Sequence, residues 1–105
     1  MMETDWTVGT PKKSCGGIFY FDPRDGIYRV HFPGYPVVPG SVIVHAFIKA
    51  AGQILPLRGY SIERFGFRGF VTPGEYRFRL DVLGDRLKCR LYRGDRTLAS
   101  GTLKI

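Results

Sequence analysis

The sequence predicts an α+β fold in which one helix packs against one antiparallel sheet, and three observations support this prediction. Fourteen glycines and seven prolines among 105 residues require frequent turns, as in proteins rich in β-structure. Residues 76–82 alternate apolar with polar side chains, the period of a half-buried strand. Only residues 40–55 carry a convincing helical pattern. The predicted order of elements is β-β-α-β-β-β-β.

The first part of the chain predicts two short strands. Residues 1–13 are expected to form a flexible lead-in, and residues 14–105 a single domain. Residues 17–21 form the first strand, which ends at a turn rich in Asp, Pro and Gly at residues 22–26. Residues 27–32 alternate in character and form the second strand.

The predicted helix begins at Gly40 and is stopped by Pro56, with Ser41 as its N-cap or in its first turn. Its polar residues recur every four positions and form one narrow stripe, which consists of Ser41, His45, Lys49 and Gln53. Apolar residues occupy the remaining positions. Because a surface helix usually has a wide polar face, we expect this helix to be buried on most sides. Its polar stripe would then face a crevice or a partner subunit.

The second half of the chain changes to a period of two. Residues 60–70 predict a long strand, in which Gly66 and Gly69 mark bends or bulges. A turn at residues 72–75 is followed by strands at residues 76–82, 87–93 and 97–105, with turns at residues 84–85 and 94–95. Four consecutive strands joined by short turns predict an antiparallel meander.

The charge balance favours an acidic partner. Sixteen Lys and Arg residues against nine Asp and Glu residues give a formal net charge of +7. Nucleic acid and an acidic carrier protein both fit this charge. The basic residues of two predicted strands could form one face beside Tyr92, namely Arg77, Arg79, Lys88 and Arg90. Alternatively, they are the solvated sides of alternating strands, which we favour.

No feature of the sequence predicts a metal, another cofactor or a membrane span. Cys15 and Cys89 lie far apart, and we interpret them as thiols in a reducing compartment. The two histidines, His31 and His45, are fourteen residues apart with no nearby pair of cysteines, which matches no standard metal site. The apolar stretch at residues 42–55 is too short and too polar to cross a bilayer. The N-terminus has no signal-peptide pattern, so we expect a cytoplasmic protein.

The segment from His31 to His45 is the strongest functional signal. It places three prolines and one glycine between His31 and Gly40, the second glycine, at which the helix starts. A loop this stiff, directly before a helix N-terminus, can aim backbone amides and one side chain at a ligand.

This segment resembles the hotdog-fold 3-hydroxyacyl-[acyl-carrier-protein] dehydratases. The resemblance is carried by a set of short motifs in the family's order and spacing: His31-Phe32-Pro33-Gly34, Pro36-Val37, Pro39-Gly40 and Ala50-Ala51-Gly52. Residues 67–74, Phe-Arg-Gly-Phe-Val-Thr-Pro-Gly, are similar to a later segment of the family. With the order of strands, the resemblance covers most of residues 17–105.

The resemblance implies a central helix wrapped by a curled antiparallel sheet, and a double-hotdog dimer in which two sheets join edge to edge. It implies dehydration of 3-hydroxyacyl thioesters, carried by acyl carrier protein or coenzyme A, to trans-2-enoyl thioesters in fatty-acid or related lipid and polyketide synthesis. The active sites would lie at the dimer interface. His31 would remove the proton next to the thioester carbonyl, and the Gly40 N–H would bind the carbonyl oxygen.

The chain departs from the family where the second catalytic group is expected. The family places Glu or Asp fourteen residues after the catalytic His, but this chain has His45 there. Lys49 replaces a frequent Gln, Tyr35 replaces a frequent second His, and Val30 replaces the usual Gly. A protonated His45 could donate to the leaving hydroxyl, although Lys49 on the same face disfavours that form by charge repulsion. Lys49 could also donate or orient a water.

The expected site therefore consists of two catalytic histidines, His31 and His45, with Gly40, Ser41 and Lys49 as substrate-binding residues. Ser41 fits a helix cap better than a nucleophile, since no Gly-x-Ser-x-Gly motif surrounds it. We expect a homodimer or a higher even oligomer that binds neither nucleic acid nor a membrane. Three alternatives stay open: a non-catalytic accessory subunit that binds acyl thioesters, an acyl thioesterase, and a basic β-domain that binds nucleic acid.

Overall fold

The described part of the polypeptide forms one antiparallel sheet with one helix packed against it. This computed structural model describes residues 13–26 and 37–105; the strand predicted at residues 27–32 and residues 1–12 of the predicted lead-in lie outside them. Its elements are β1 (Lys13–Phe21), α1 (Gly40–Ala51), β2 (Ser61–Phe67), β3 (Gly74–Leu83), β4 (Arg86–Arg93) and β5 (Arg96–Lys104). The prediction of an α+β fold is confirmed.

The order of strands in the sheet is β1-β3-β4-β5-β2. The three strands β3, β4 and β5 form the predicted meander, because each pairs antiparallel with the next. The prediction that β2 also belongs to the meander is wrong. β2 pairs with β5, whereas β1 occupies the other edge of β3 over its full length, from Lys13↔Val82 to Phe21↔Gly74. Residues 68–73 therefore connect β2, at one edge of the sheet, to β3, which lies next to the strand at the other edge.

The helix is shorter than predicted and has a different cap. It ends at Ala51, not at residue 55, and the N–H of Gly52 donates to the carbonyl of Ile48 at 2.9 Å. Pro39 is the N-cap and provides no side-chain hydrogen bond, so Ser41 belongs to the first turn. Hydrogen-bonded turns follow the helix as far as Leu55, whose N–H donates to the carbonyl of Ala51 at 3.0 Å.

The core lies between α1 and the inner face of the sheet. Phe47 of α1 is fully buried and makes edge contacts with Phe19 and Phe78, with ring centroids at 5.0 and 6.0 Å. Phe19 and Phe78 stack at 3.9 Å. The strands contribute leucines with no exposed area, namely Leu80, Leu87, Leu91 and Leu103. Burial of these apolar side chains is the main force that holds the helix on the sheet.

The alternation predicted for residues 76–82 is confirmed, since Tyr76, Leu80 and Val82 are buried whereas Arg77 and Arg79 are exposed. The turns predicted at residues 84–85 and 94–95 are confirmed as well. Gly84 and Gly94 each have a φ of 62°, which only glycine adopts without cost.

Two strand boundaries differ from the prediction. β1 begins at Lys13, four residues before the predicted strand, and β2 covers only residues 61–67. The irregularity in β2 lies between Ile62 and Arg64, whereas Gly66 pairs in regular register with Ser100. A bulge at Gly66 is therefore excluded, because an extended strand accepts glycine without a change of register, whereas the bend predicted at Gly69 is confirmed.

Candidate functional site

The loop before the helix is held against the segment that precedes β3. The N–H of Val38 donates to the carbonyl of Val71 at 2.7 Å, and both side chains are buried, with 3% and 2% exposed. Pro39 follows in an extended conformation, with φ −61° and ψ 145°. The extended Pro39 ends the loop, and the helix begins at Gly40 in a position set by these contacts.

The first two amides of α1 are not used by any other group among the described residues. The carbonyl of Pro39 accepts from the N–H groups of Val42 and Ile43, at 3.0 and 3.2 Å. Within the described parts of the chain, the N–H groups of Gly40 and Ser41 have no acceptor. The first turn also contains no acidic residue. The positive end of the helix dipole and two free donors therefore suit an oxygen that carries negative charge.

An apolar cavity of about 500 Å³ opens beside this helix terminus. Its walls come from the loop before α1 and from the segment after β2, and they consist of Val37, Val38, Pro39, Gly40, Phe67, Gly69, Phe70 and Val71. The Phe70 side chain is 82% exposed. Such a cavity suits an apolar chain whose polar end lies at the helix N-terminus.

The ring of Phe67 packs closely against Gly40. A Cβ atom on Gly40 would lie 3.1 Å from Cζ of Phe67 and 3.2 Å from its Cε2. Reasoning from the sequence did not assign Phe67 to the site, although residues 67–74 were part of the resemblance. The signal that points to Phe67 is the similarity of residues 67–74 to a family motif, since this segment begins at the last residue of β2.

Of the expected site residues, Gly40 lines the cavity and Ser41 contributes an amide at the same helix end. His31 lies outside the described residues. The side chains of Ser41, His45 and Lys49 are exposed, and none of them lines the cavity. The polar stripe of α1 thus points away from the sheet.

The cysteines do not contribute to this site. Both are free, and Cys89 is buried with 1% of its surface exposed. Burial raises the pKa of the Cys89 thiol to about 12. The pKa of Cys15 is also raised, first by burial and second by the charge of Asp81. Both thiols are therefore weak nucleophiles at neutral pH.

Residues 13–26 and 37–105 contain no group of three or more His, Cys, Asp or Glu side chains that could hold a metal ion. In the same part of the chain, no helix is long and apolar enough to cross a membrane.

The chain matches a family model described as ApeI-like, ApeI dehydratase, over residues 9–102. It is 33% identical over 79 residues to a 3-hydroxyacyl-[acyl-carrier-protein] dehydratase FabZ of Geotalea uraniireducens, an alignment that covers 74% of this chain and 54% of the relative. It is 32% identical over 96 residues to the FabZ dehydratase of Koribacter versatilis, covering 76% of this chain and 62% of the relative. The chain therefore spans only about half to three fifths of the length of these relatives.

Solved structures with the hotdog fold resemble this one. The dehydratase heterocomplex ApeI:P from Xenorhabdus doucetiae aligns with a TM-score of 0.76 and 26% identity, covering 87% of this chain and 85% of that chain. A hot-dog-like protein from Thermanaerovibrio acidaminovorans aligns with a TM-score of 0.65 and 13% identity, covering 90% of this chain and 79% of that chain. The hotdog fold expected from the motifs is confirmed.

Proposed function

This chain belongs to the ApeI-like dehydratase family, and from that premise we propose that it dehydrates 3-hydroxyacyl thioesters to trans-2-enoyl thioesters. The observation that carries the proposal is the pair of free amides, of Gly40 and Ser41, beside an apolar cavity. We further propose that the chain acts in the cytoplasm, with residues 14–105 in its catalytic domain; Lys13, expected to end the lead-in, belongs to β1.

The free amides support a role at the thioester carbonyl. When a proton leaves the carbon next to the carbonyl, negative charge develops on the carbonyl oxygen. Donors held rigidly at a helix N-terminus stabilise this charge more in the transition state than in the substrate. The acyl chain would lie in the cavity against Phe67 and Phe70, where apolar surface is available.

The proton transfers are assigned to the two histidines. We propose that His31 takes the proton from the carbon next to the carbonyl, after which the electron pair forms the double bond and the hydroxyl leaves as water. The hydroxyl needs a proton of its own, and His45 or Lys49 would supply it or orient the water that does. The overall elimination changes no oxidation state and calls for no cofactor.

The exposed position of His45 and Lys49 supports a site completed by a second subunit. In the described part of the chain β2 is an edge strand of the sheet, and unpaired edges are ready to pair with another chain. The β2 side chain Ile62 and its neighbour Tyr60 are 56% and 47% exposed. We propose that two copies join at this edge, as a homodimer or a higher even oligomer.

A second function, that of an accessory subunit, is favoured by one observation. No Asp or Glu occurs among residues 40–56, so α1 supplies no carboxylate to either subunit of a homodimer. The dehydratase from X. doucetiae is a heterocomplex. In this second candidate, the chain binds the thioester through Gly40 and a different hotdog subunit provides the acid.

Both candidates are tested with the purified chain and 3-hydroxyacyl or trans-2-enoyl thioesters, each offered on acyl carrier protein and on coenzyme A. Interconversion by the chain alone, lost with His31→Ala, supports the dehydratase. Saturable binding of the acyl carrier without turnover supports the accessory subunit. Release of free thiol would instead indicate a thioesterase, and salt-sensitive binding of oligonucleotides without acyl chemistry would contradict both candidates.

A further inference from the structure

Three basic side chains converge on the outer face of the sheet, on the side opposite α1. Antiparallel register places Thr102 of β5 between Arg64 of β2 and Lys88 of β4. In the next row, Ser100 of β5 lies between Gly66 of β2 and Arg90 of β4. Residues in register point to the same face of a sheet, so the three cations and the two hydroxyls form one cluster.

In the part of the chain that the structure describes, these cations have no anionic partner, because the side chains of Arg64, Lys88 and Arg90 make no ion pair or hydrogen bond there. Two acids that are close to them in register or in sequence are engaged elsewhere. Asp81, opposite Lys88 in register, accepts from Ser14 at 2.7 Å and pairs with Arg79 at 3.1 Å.

The second acid, Glu63, pairs with Arg86 at 2.9 Å, although it is the chain neighbour of Arg64. Arg64 on β2 and the pair Lys88 and Arg90 on β4 flank β5, and like charges placed in this way repel one another. An anion bound between them would remove this repulsion.

The cluster surrounds a depression of about 160 Å³, which is small enough to suit a single anionic group. Its lining consists of Arg64, Lys88, Cys89, Arg90, Ser100, Gly101 and Thr102. A Cβ atom at Gly66, beside Ser100, would meet nothing within 4 Å. The space in front of the hydroxyls is therefore open.

We propose that this depression, the outer-face site, binds a phosphate group. Planar guanidinium groups match phosphate oxygens with paired hydrogen bonds, the ammonium of Lys88 adds a point charge, and the hydroxyls donate to the remaining oxygens. The site goes beyond the proposed dehydration, because it lies across the sheet from α1 and the apolar cavity. Pairing of a second subunit along the edge of β2 leaves it open, since strand pairing uses backbone groups in the plane of the sheet.

The test is calorimetric titration of the full chain with inorganic phosphate at constant ionic strength, maintained with chloride. We expect saturable binding, with a Kd that rises roughly tenfold in Arg90→Gln and in Lys88→Gln. The matched control is Arg96→Gln, which removes the same charge from an exposed position of β5 outside the depression. Thermal unfolding without phosphate confirms that each variant is folded.

A second titration, with adenosine 3′,5′-bisphosphate, distinguishes the source of the phosphate. Tighter binding than inorganic phosphate, with the same dependence on Arg90, indicates a nucleotide; equal binding indicates a free phosphate. The proposal is overturned if neither compound saturates, or if Arg96→Gln weakens binding as much as Arg90→Gln. Turnover of a thioester without phosphate is measured in parallel and should be unchanged in Arg90→Gln, so that this result is independent of the proposed dehydration.

Discussion

The ring of Phe67 lies against the backbone of Gly40, so closely that a Cβ atom at residue 40 would come within 3.1 Å of it. This contact joins the end of β2 to the N-terminus of α1. It forms one wall of the apolar cavity. The position of the first two amides of α1 relative to this cavity therefore depends on a glycine and an aromatic ring.

Gly40→Ala is expected to lower kcat/KM at least about tenfold, because a shift of the ring or of the first helical turn misplaces the amides. The free energy of unfolding should change by no more than about 1 kcal/mol, since alanine also favours the helix. Gly52→Ala is the matched control, because an added Cβ there meets only ordinary contacts at 3.5 Å. Steady-state kinetics and denaturant unfolding measure the two quantities. If Gly40→Ala and Gly52→Ala had equal kcat/KM, the role of the Gly40 position in holding the amides would be contradicted.

Phe67→Leu combined with Gly40→Ala is expected to recover part of the lost activity. The smaller side chain removes the ring atoms that the new methyl group would meet. A double-mutant cycle of kcat/KM measures the coupling between the two positions. Strictly additive effects would show that the contact does not position the amides.

His45→Glu is expected to raise the dehydration rate of the isolated chain at least about tenfold, since it supplies a general acid to the candidate site. The exposed position of His45 tolerates the change. Gln53→Glu, two residues after the end of α1 and also exposed, is the control for the added charge. Rates are measured from the absorbance of the enoyl thioester. An unchanged rate would indicate that a different subunit supplies the acid.

Ile62→Lys is expected to convert the proposed dimer to a monomer and to abolish the proposed turnover. A charge at the edge of β2 opposes strand pairing. Ile18→Lys is the control, because Ile18 belongs to the opposite edge strand β1 and is 57% exposed, compared with 56% for Ile62. Sedimentation velocity gives the oligomeric state. A dimer that persists in Ile62→Lys but dissociates in Ile18→Lys would place the interface on β1.

The stability of the fold is expected to fall between pH 9 and 11 because of Cys89. Its pKa rises from 9.0 to about 12 on folding, so the unfolded chain loses this proton first as the pH increases. The contribution is complete below pH 9 and is lost at about 1.4 kcal/mol per pH unit above it. Denaturant unfolding of the wild type and of Cys89→Ala isolates this slope. If the free energies of unfolding of the two proteins changed in parallel with pH, the assignment of this slope to Cys89 would be contradicted.

The sequence predicted only those residues of the expected site that lie within a local motif. Gly40 was identified from a proline-rich loop before a helix, and the structure places it at a cavity. Phe67 lies 27 residues further along the chain, and no local pattern relates it to Gly40. The placement of His45 and Lys49 on the open side of α1 depends on which helix face the sheet covers.

The sequence by itself determined the elements whose causes are local. The turns at Gly84 and Gly94 follow from a backbone conformation that glycine adopts freely, and the alternation from Tyr76 to Val82 follows from the geometry of a strand. Only the tertiary structure decided that β2 pairs with β5, because β1 occupies the competing edge of β3. The contact of Phe67 with Gly40 was decided in the same way, since long-range packing joins segments whose own sequences carry no record of one another.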